Sequence, residues 1–189
     1  GDADFSWSEF VRRNNEELVA TYGNLVNRVL TFTYRNFEGK IPTPKALDEV
    51  DEGLLRSART AMEDVGKNLQ MCHFKAAIAQ AFALVQEANR YLDTKAPWRT
   101  IKEDSAEAAT SLWVSIGAIN CLKVLLYPFM PFSSQKLHEY LGFDDRVEDG
   151  QWDFDYIMEG VPAGKALRQP SALYTKLEPD VVDQEVNRL

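Results

Sequence analysis

One face of a predicted helix near the start of the chain carries side chains that could read an unpaired base. At about 100° per residue, Glu17, Asn24, Arg28, Thr31 and Arg35 fall on one side of this helix. Asn24 and Arg28 are four positions apart, so they stack on adjacent turns. Asparagine offers a hydrogen-bond donor and an acceptor at one tip, and arginine offers a planar fork of donors. Such a pair suits the edge of a splayed-out base, although an ordinary solvated helix face has the same composition.

A second candidate is Trp98, which directly follows Pro97 at a break between two predicted helices. Proline fixes its own φ and disfavours helical dihedrals in the residue before it, so the ring is expected at a rigid position. Lys95 and Arg99 place basic charge on either side. An aromatic ring beside basic charge favours stacking on an unpaired base, a contact worth about 1 to 3 kcal/mol. A packing role for the tryptophan is the competing interpretation.

The motifs that most enzyme classes need are missing from the sequence. It has no Gly-x-Gly-x-x-Gly, no Gly-x-x-x-x-Gly-Lys phosphate loop, no Gly-x-Ser-x-Gly and no His-Glu-x-x-His. The cysteines and histidines, at Cys72, Cys121, His73 and His138, do not have the spacing of metal ligands. We therefore expect no catalytic residue and no metal site in this chain. Two unpaired thiols are typical of the reducing cytoplasm.

Long segments with apolar residues at helical spacing must position these candidates. Glycine and proline are sparse between them, and five helices are predicted, over about 7–37, 51–69, 74–93, 107–127 and 133–142. The fourth is apolar around most of its circumference, which predicts a central helix. The fold class is therefore all-α, a bundle of about five helices.

The acidic charge of the chain is concentrated in its C-terminal part. The 189 residues carry a formal charge of −8, which at first argues against a nucleic-acid partner. Residues 144–160 account for −6 of it, whereas 10–40 carry +2 and 89–104 carry +1. The two candidate regions are thus mildly basic and would neutralise few phosphates, which predicts a shallow salt dependence. From residue 144 onward we expect an extended return segment that ends in a short helix.

Five short stretches carry a resemblance to a known family. They read NNEELV at 14–19, GNLVNR at 23–28, ANRYLDTKAPW at 88–98, LYPFMP at 126–131 and LYTKLE at 173–178. In this order and spacing they resemble the α-helical anticodon-binding domain of the methionyl-tRNA synthetase family, within the class I aminoacyl-tRNA synthetases. The resemblance implies one domain over 1–178, followed at 179–189 by a tail or the start of a terminal helix.

The resemblance implies a role in translation, in which the helix bundle receives the anticodon loop of methionine tRNA and checks its CAU bases. Asn24 and Arg28 correspond to the polar pair that reads the first anticodon base. Trp98 corresponds to the aromatic residue that stacks in the loop, and Pro97 fixes its backbone. The expected RNA-binding set is Asn24, Arg28, Arg35, Lys95, Pro97, Trp98 and Arg99.

The catalytic part of that family is not in the sequence. Motifs of the His-Ile-Gly-His and Lys-Met-Ser-Lys-Ser types and the zinc-binding insertion are missing. The resemblance thus implies a piece of a longer ATP-dependent ligase, in which ATP, magnesium and zinc belong to the catalytic part. The implied partners are methionine tRNA and that catalytic part, in the cytoplasm, with neither DNA nor a membrane. Two alternatives stay open: the same domain of a leucyl, valyl or isoleucyl enzyme, and a helical protein-interaction module without an RNA role.

Overall fold

The computed structural model of the protein describes residues 5–187. In that range the chain forms helices and no β-strand, and one isolated antiparallel bridge joins Lys40 to Ala166. The predicted all-α class is confirmed. The elements are α1 (Trp7–Arg13), a π-helical segment (Asn14–Gly23), α2 (Asn24–Asn36), α3 (Glu49–Gln70), α4 (Phe74–Lys95), α5 (Pro97–Thr100), α6 (Ser105–Leu126), α7 (Pro131–Tyr140), a 3₁₀ turn (Val147–Asp149), α8 (Phe154–Glu159) and α9 (Asp180–Val186).

Helix α6 lies at the centre of the bundle, as its apolar circumference predicts. It is buried on nearly every side, and it packs against α3 and α4, which also pack against each other. By length and composition alone α6 could cross a membrane, but 89% of its most apolar stretch is buried inside the protein. That burial is typical of a core helix in a globular domain. The other helices that carry the candidate residues, α2 and α5, also contact α6.

The first predicted helix differs from the structure in the π-helical segment between α1 and α2. There the backbone N–H of Asn24 donates to the carbonyl oxygen of Val19, five positions earlier. A π turn holds one residue more than an α turn, so a rotation of about 100° per residue does not apply across it. The rotation that placed Glu17 on the face of Arg28 therefore does not hold, and the Glu17 carboxylate lies 4.0 Å from the guanidinium of Arg13.

The return segment gives a physical reason for this wider turn. The side-chain amide of Asn15 accepts a hydrogen bond from the backbone N–H of Leu177 and donates one to its carbonyl oxygen, each at 2.8 Å. At the end of the π-helical segment, a Cβ on Gly23 would lie 3.1 Å from a ring carbon of Tyr174. Glycine thus lets the returning chain approach closely. A contact across more than 150 positions leaves no trace in local periodicity.

The C-terminal part returns along the bundle and ends in a short helix, as predicted, but it is not extended throughout. Residues 144–160 contain the 3₁₀ turn and α8, which corrects the expectation of an extended chain there. The side-chain Nδ2 of Asn120 in α6 donates to the carbonyl oxygen of Ile157 at 2.7 Å, and this buried bond fixes α8. Helix α9 lies inside the predicted tail, whose residues 188–189 are outside the described range.

A buried polar network joins the return segment to α6 and α7. The ammonium of Lys123 donates to Asn120 Oδ1 at 2.6 Å and lies 2.7 Å from Nδ1 of His138. Since a charged ammonium has no acceptor, Nδ1 accepts and Nε2 carries the proton, 2.9 Å from Asp145 Oδ1. Burial lowers the pKa of Lys123 to about 7, and burial also lowers the pKa of His138. Burial thus disfavours the charged forms of Lys123 and His138, and their hydrogen bonds to Asn120 and Asp145 hold this region together.

Candidate nucleic-acid interface

Arg28 in α2 and Trp98 in α5 lie against each other, although they are 70 positions apart in the sequence. The guanidinium carbon of Arg28 is 4.6 Å from the centroid of the Trp98 ring. Its Nη2 atom donates to Oδ1 of Asp93 in the last turn of α4 at 2.9 Å. A cation–π contact at an exposed site contributes about 0.5 to 1 kcal/mol. The two strongest sequence candidates therefore form one partly exposed surface.

Two further members of the expected set lie on the same helix as Arg28. Asn24 is the exposed first residue of α2, and its side-chain amide has no hydrogen bond to any residue of the described range. Arg35 is exposed in the last turn of α2 and forms no ion pair with residues 5–187. Arg99, beside Trp98 in α5, is also exposed and has no ion-pair partner in that range. These polar groups are free to bind a ligand from solution.

An open cleft of about 310 Å³ lies between Trp98 and the outer face of α2. Its volume falls at the lower end of the range of small-ligand sites. Sequence reasoning missed two of its members, although i, i+4 spacing from Arg28 and Thr31 could have found them. One is the ring of Phe32, and the other is Asn27, whose Oδ1 accepts from the hydroxyl of Thr31 at 3.1 Å. The lining residues are Asn27, Arg28, Thr31, Phe32, Arg35 and Trp98.

The backbone at Ala96 and Pro97 aims Trp98 into this cleft. Helix α4 ends at Lys95, and Ala96 adopts the left-handed conformation, with φ 40° and ψ 58°. That conformation costs about 1 to 2 kcal/mol for a residue with a Cβ, so the surroundings must hold it. Pro97 is buried at the first position of α5, where its missing N–H leaves no donor unpaired. The hydroxyl of Thr100 closes the turn by donating to the Lys95 carbonyl oxygen at 2.8 Å.

Lys95 does not face the cleft, contrary to its place in the expected RNA-binding set. Its ammonium lies 2.6 Å from Asp48 Oδ2, 2.9 Å from Asp51 Oδ1 and 2.9 Å from Glu107 Oε1. The Lys95 side chain is only 8% exposed and that of Asp51 only 1%. The last residue of α4 is thus bound by three carboxylates: Asp48 directly before α3, Asp51 in α3 and Glu107 in α6. We call these four residues the Lys95 cluster.

The electrostatics of the Lys95 cluster agree with a structural role. Burial alone would lower the pKa of Lys95, but its bonds to Asp48, Asp51 and Glu107 raise it above the ordinary value. The bond from Lys95, together with the backbone N–H of Asp51, lowers the pKa of Asp48 to about 2. The bonds from Lys95 and Lys45 lower the pKa of Glu107 as well. The charge of Lys95 is therefore fully neutralised and unavailable to a phosphate.

The acidic stretch 144–160 lies away from the cleft. Helix α8 of this stretch is bound to α6 at Asn120, 15 residues after the start of α6. Helix α5, which carries Trp98, contacts α6 and precedes its first residue by only a short turn. Fifteen helical residues span about 22 Å. Several acids of the stretch are also paired, as Asp155 is with Arg59 at 2.5 Å. The net charge of the chain therefore does not describe the surface around Trp98.

Two family models match the chain, one over most of its length and one over its first 30 residues. Residues 41–189 match the model described as the anticodon binding domain of methionyl tRNA ligase. Residues 1–30 match a model of class I tRNA synthetases, the methionine group. Most of the helical bundle, including α4, α5 and Trp98, thus falls in the first match, whereas Asn24 and Arg28 fall in the second.

Individual relatives agree with these models. The methionine–tRNA ligase of Chloroflexus aurantiacus is 43% identical over the whole chain, and that of Dehalococcoides mccartyi is 48% identical. The crystal structure of apo Mycobacterium tuberculosis methionyl-tRNA synthetase superposes with a TM-score of 0.86 at 26% identity, over 95% of this chain and 36% of that one. The chain covers 35% and 33% of the two ligases, so it spans about a third of the curated relatives it matches.

Proposed function

The chain belongs to the family of methionyl-tRNA ligase anticodon-binding domains, and from this premise we propose that it recognises the CAU anticodon of methionine tRNA at the cleft between α2 and Trp98. The observation that carries the proposal is the contact between Arg28 and Trp98. A planar, cationic group already packs on the indole ring, which is the geometry that a stacked base needs. Beside it, a free amide and a free guanidinium lie on one exposed helix face.

Asn24 and Arg28 are suited to the first anticodon base. The pairing edge of cytosine presents an amino donor beside two acceptors, and an amide oxygen together with a guanidinium complements that pattern. Asp93 holds the Arg28 guanidinium at 2.9 Å, so the donor fork is oriented before RNA arrives. Preorganised donors lose less conformational entropy on binding.

Trp98 supplies the stacking platform, and the turn at Ala96 and Pro97 fixes its position. Base stacking on an aromatic side chain is worth about 1 to 3 kcal/mol. Arg35 lines the cleft with Trp98, and Arg99 is exposed next to Trp98 in the sequence, so both are suited to phosphates of the loop. Lys95 contributes by fixing the end of α4, and we assign it no RNA contact.

Methionine attachment belongs to the longer ligase of which this domain is a part. No three His, Cys, Asp or Glu side chains within residues 5–187 converge as metal ligands. From the family match we assign ATP, magnesium and zinc to the catalytic part, and we propose methionine tRNA and that part as the partners of the domain, in the cytoplasm. The family match and the named relatives favour the methionine enzyme over the leucyl, valyl and isoleucyl alternatives.

Binding to two RNA stem-loops tests the proposal. The first carries the CAU anticodon, and the second differs only in the first anticodon base. We expect the CAU loop to bind about 10-fold more tightly, because one mismatched base typically costs about 1 to 3 kcal/mol. Equal affinity for the two loops would contradict the proposal and favour a helical protein-interaction module.

A further inference from the structure

A cavity of about 220 Å³ lies between α6, α7 and the acidic stretch 144–160, where the proposed anticodon function makes no use of it. Five of its lining residues are apolar or aromatic: Val124, Phe143, Val147, Tyr156 and Ile157. Lys123 of α6 and His138 of α7 also line it, and they are only 3% and 5% exposed to solvent. A mainly apolar cavity with a few convergent polar groups is the usual form of a small-ligand site.

Lys123, His138 and Asp145 form a hydrogen-bonded chain in the wall of this cavity. The Nζ atom of Lys123 lies 2.7 Å from Nδ1 of His138, and Nε2 of His138 lies 2.9 Å from Oδ1 of Asp145. The ring of Phe143 stacks on the imidazole, with the two centroids 4.2 Å apart, and limits its rotation. A nucleophile within hydrogen-bond reach of a base, which a third group orients, is the arrangement found around activated nucleophiles.

The amine of Lys123 is suited to act as the nucleophile. Within residues 5–187 its hydrogen-bond partners are an amide and an imidazole, and no carboxylate forms an ion pair with it. Burial, reinforced by the charge of Lys165 and opposed by that of Asp145, lowers the pKa of Lys123 to about 7, so the uncharged amine is abundant near neutral pH. Its two N–H groups match Asn120 Oδ1 and His138 Nδ1, which leaves the nitrogen lone pair in the remaining tetrahedral direction.

We propose that Lys123 is a covalent modification site for a small, uncharged aldehyde held in this cavity, with His138 moving the proton and Asp145 orienting His138. Desolvated lysines are the residues that form imines with carbonyl compounds. The volume lies below the range of drug-sized ligands, so it limits the aldehyde to about one ring or a short chain. Asp145 and Glu159 both line the cavity and disfavour an anionic aldehyde.

Imine formation at Lys123 requires no oxidant or reductant. His138 Nδ1 takes a proton from the ammonium, and the amine lone pair then forms a C–N bond to the carbonyl carbon while the C=O π electrons move to oxygen. One proton passes from the nitrogen to that oxygen, which gives a carbinolamine. His138 returns its proton to the hydroxyl group, the C–O bond breaks and water leaves. The ammonium and the aldehyde thus become a protonated imine and one water, and the imidazole is neutral again.

Reductive trapping in the full-length ligase tests the proposal. Benzaldehyde is the probe, sodium cyanoborohydride reduces each imine to a stable benzylamine, and peptide mass spectrometry quantifies the adduct at each lysine. At pH 7 we expect Lys123 to be labelled at least about 10-fold faster than Lys75, which is exposed on α4, because ordinary exposed amines are almost entirely protonated. The anionic probe 4-carboxybenzaldehyde should lower this ratio at least about 10-fold. A Lys123 rate no higher than that of Lys75, or an equal ratio for the two aldehydes, would overturn the proposal.

Substitutions of His138 and Asp145 provide the second arm. His138→Gln keeps a hydrogen-bond acceptor for Lys123 but cannot carry the proton, so labelling of Lys123 should fall about 100-fold while that of Lys75 stays unchanged. Asp145→Asn keeps an acceptor for Nε2 without the charge that stabilises the protonated imidazole, and it should lower the Lys123 rate by a smaller factor. Neither residue lines the Trp98 cleft, so unchanged tRNA charging shows that both variants are folded. Lys123 labelling at the unsubstituted rate in folded His138→Gln would overturn the proposal.

Discussion

Lys95 and Trp98 are three positions apart, yet they belong to two regions with opposite physical character. The Lys95 cluster is closed: a nearly buried ammonium is bound by three carboxylates. The cleft at Trp98 is open, and its polar groups, apart from the pair of Arg28 with Asp93, have few partners. Between the two regions stands the left-handed residue Ala96.

The difference shows how a small surface can be rigid while its side chains stay available. The strained left-handed conformation of Ala96 must be held by its surroundings. The preceding residue, Lys95, is fixed by its three carboxylate partners, which also neutralise its charge. Trp98 and Arg28 are both only partly buried, so they remain accessible to a ligand, although Trp98 also packs against the hydrophobic core. We expect substitutions in the first region to act on stability and substitutions in the second to act on binding.

The largest effect is expected from Lys95→Met. It leaves the carboxylate of Asp51, which is 1% exposed, without its cation, and removing one partner of a buried ion pair costs about 3 kcal/mol or more. Denaturant unfolding measures this change in the free energy of unfolding. Lys45→Met is the matched control, because Lys45 pairs with Glu107 from an exposed position and should cost much less. If Lys95→Met left stability intact and weakened RNA binding, Lys95 would contact RNA after all.

Trp98→Ala should mainly weaken RNA binding, whereas Lys95→Met should mainly lower stability. Loss of one stacked base costs about 1 to 3 kcal/mol, so the affinity for the CAU stem-loop and the charging efficiency of the full-length ligase should fall by roughly 5-fold to 150-fold. The free energy of unfolding should fall less than in Lys95→Met. Trp152→Ala is the control, since Trp152 is similarly large, partly exposed and bound to the Met62 carbonyl oxygen in another region. Unchanged charging in Trp98→Ala would remove Trp98 from the site.

The same contrast explains what the sequence could and could not predict. Helical periodicity was sufficient for the all-α class and for the central position of α6, because both depend on local apolar spacing. Residue type and the break at Pro97 indicated Arg28 and Trp98 as candidates, and the structure places the two in contact, whereas their role in RNA binding stays a prediction. Sequence reasoning misassigned Lys95, because the three carboxylates that bind it come from other parts of the chain. It also missed the wide turn before Asn24, which depends on contacts with Leu177 and Tyr174.

A smaller effect, with a defined pH dependence, is expected from Asp48→Asn. Asparagine keeps the cap at the start of α3, where Asp48 accepts from the backbone N–H groups of Val50 and Asp51, but it loses the charge. Since Asp48 is half exposed, the loss is about 1 kcal/mol near pH 7. The pKa of Asp48 falls from 3.8 to about 2 on folding, so its contribution is present above pH 3.8 and disappears as the pH falls towards 2.

Unfolding measured from pH 7 to pH 2 checks this sign. The stability difference between the unsubstituted protein and Asp48→Asn should stay constant down to about pH 4 and then shrink. A difference that persisted at pH 2 would mean that it does not come from the charge of the carboxylate, and the Lys95 cluster would then owe little to charge.

The smallest expected effect comes from Arg35→Ala, at the rim of the cleft. Arg35 is exposed and has no ion pair with residues 5–187, so its loss should leave the free energy of unfolding unchanged. If its guanidinium neutralises one phosphate, the slope of log affinity against log salt for the CAU stem-loop should become shallower by about 0.7. Lys67→Ala, an exposed cation near the end of α3 distant from Trp98, is the control and should leave the slope unchanged. An unchanged slope in Arg35→Ala would show that Arg35 makes no phosphate contact and would leave Arg99 as the candidate for that role beside Trp98.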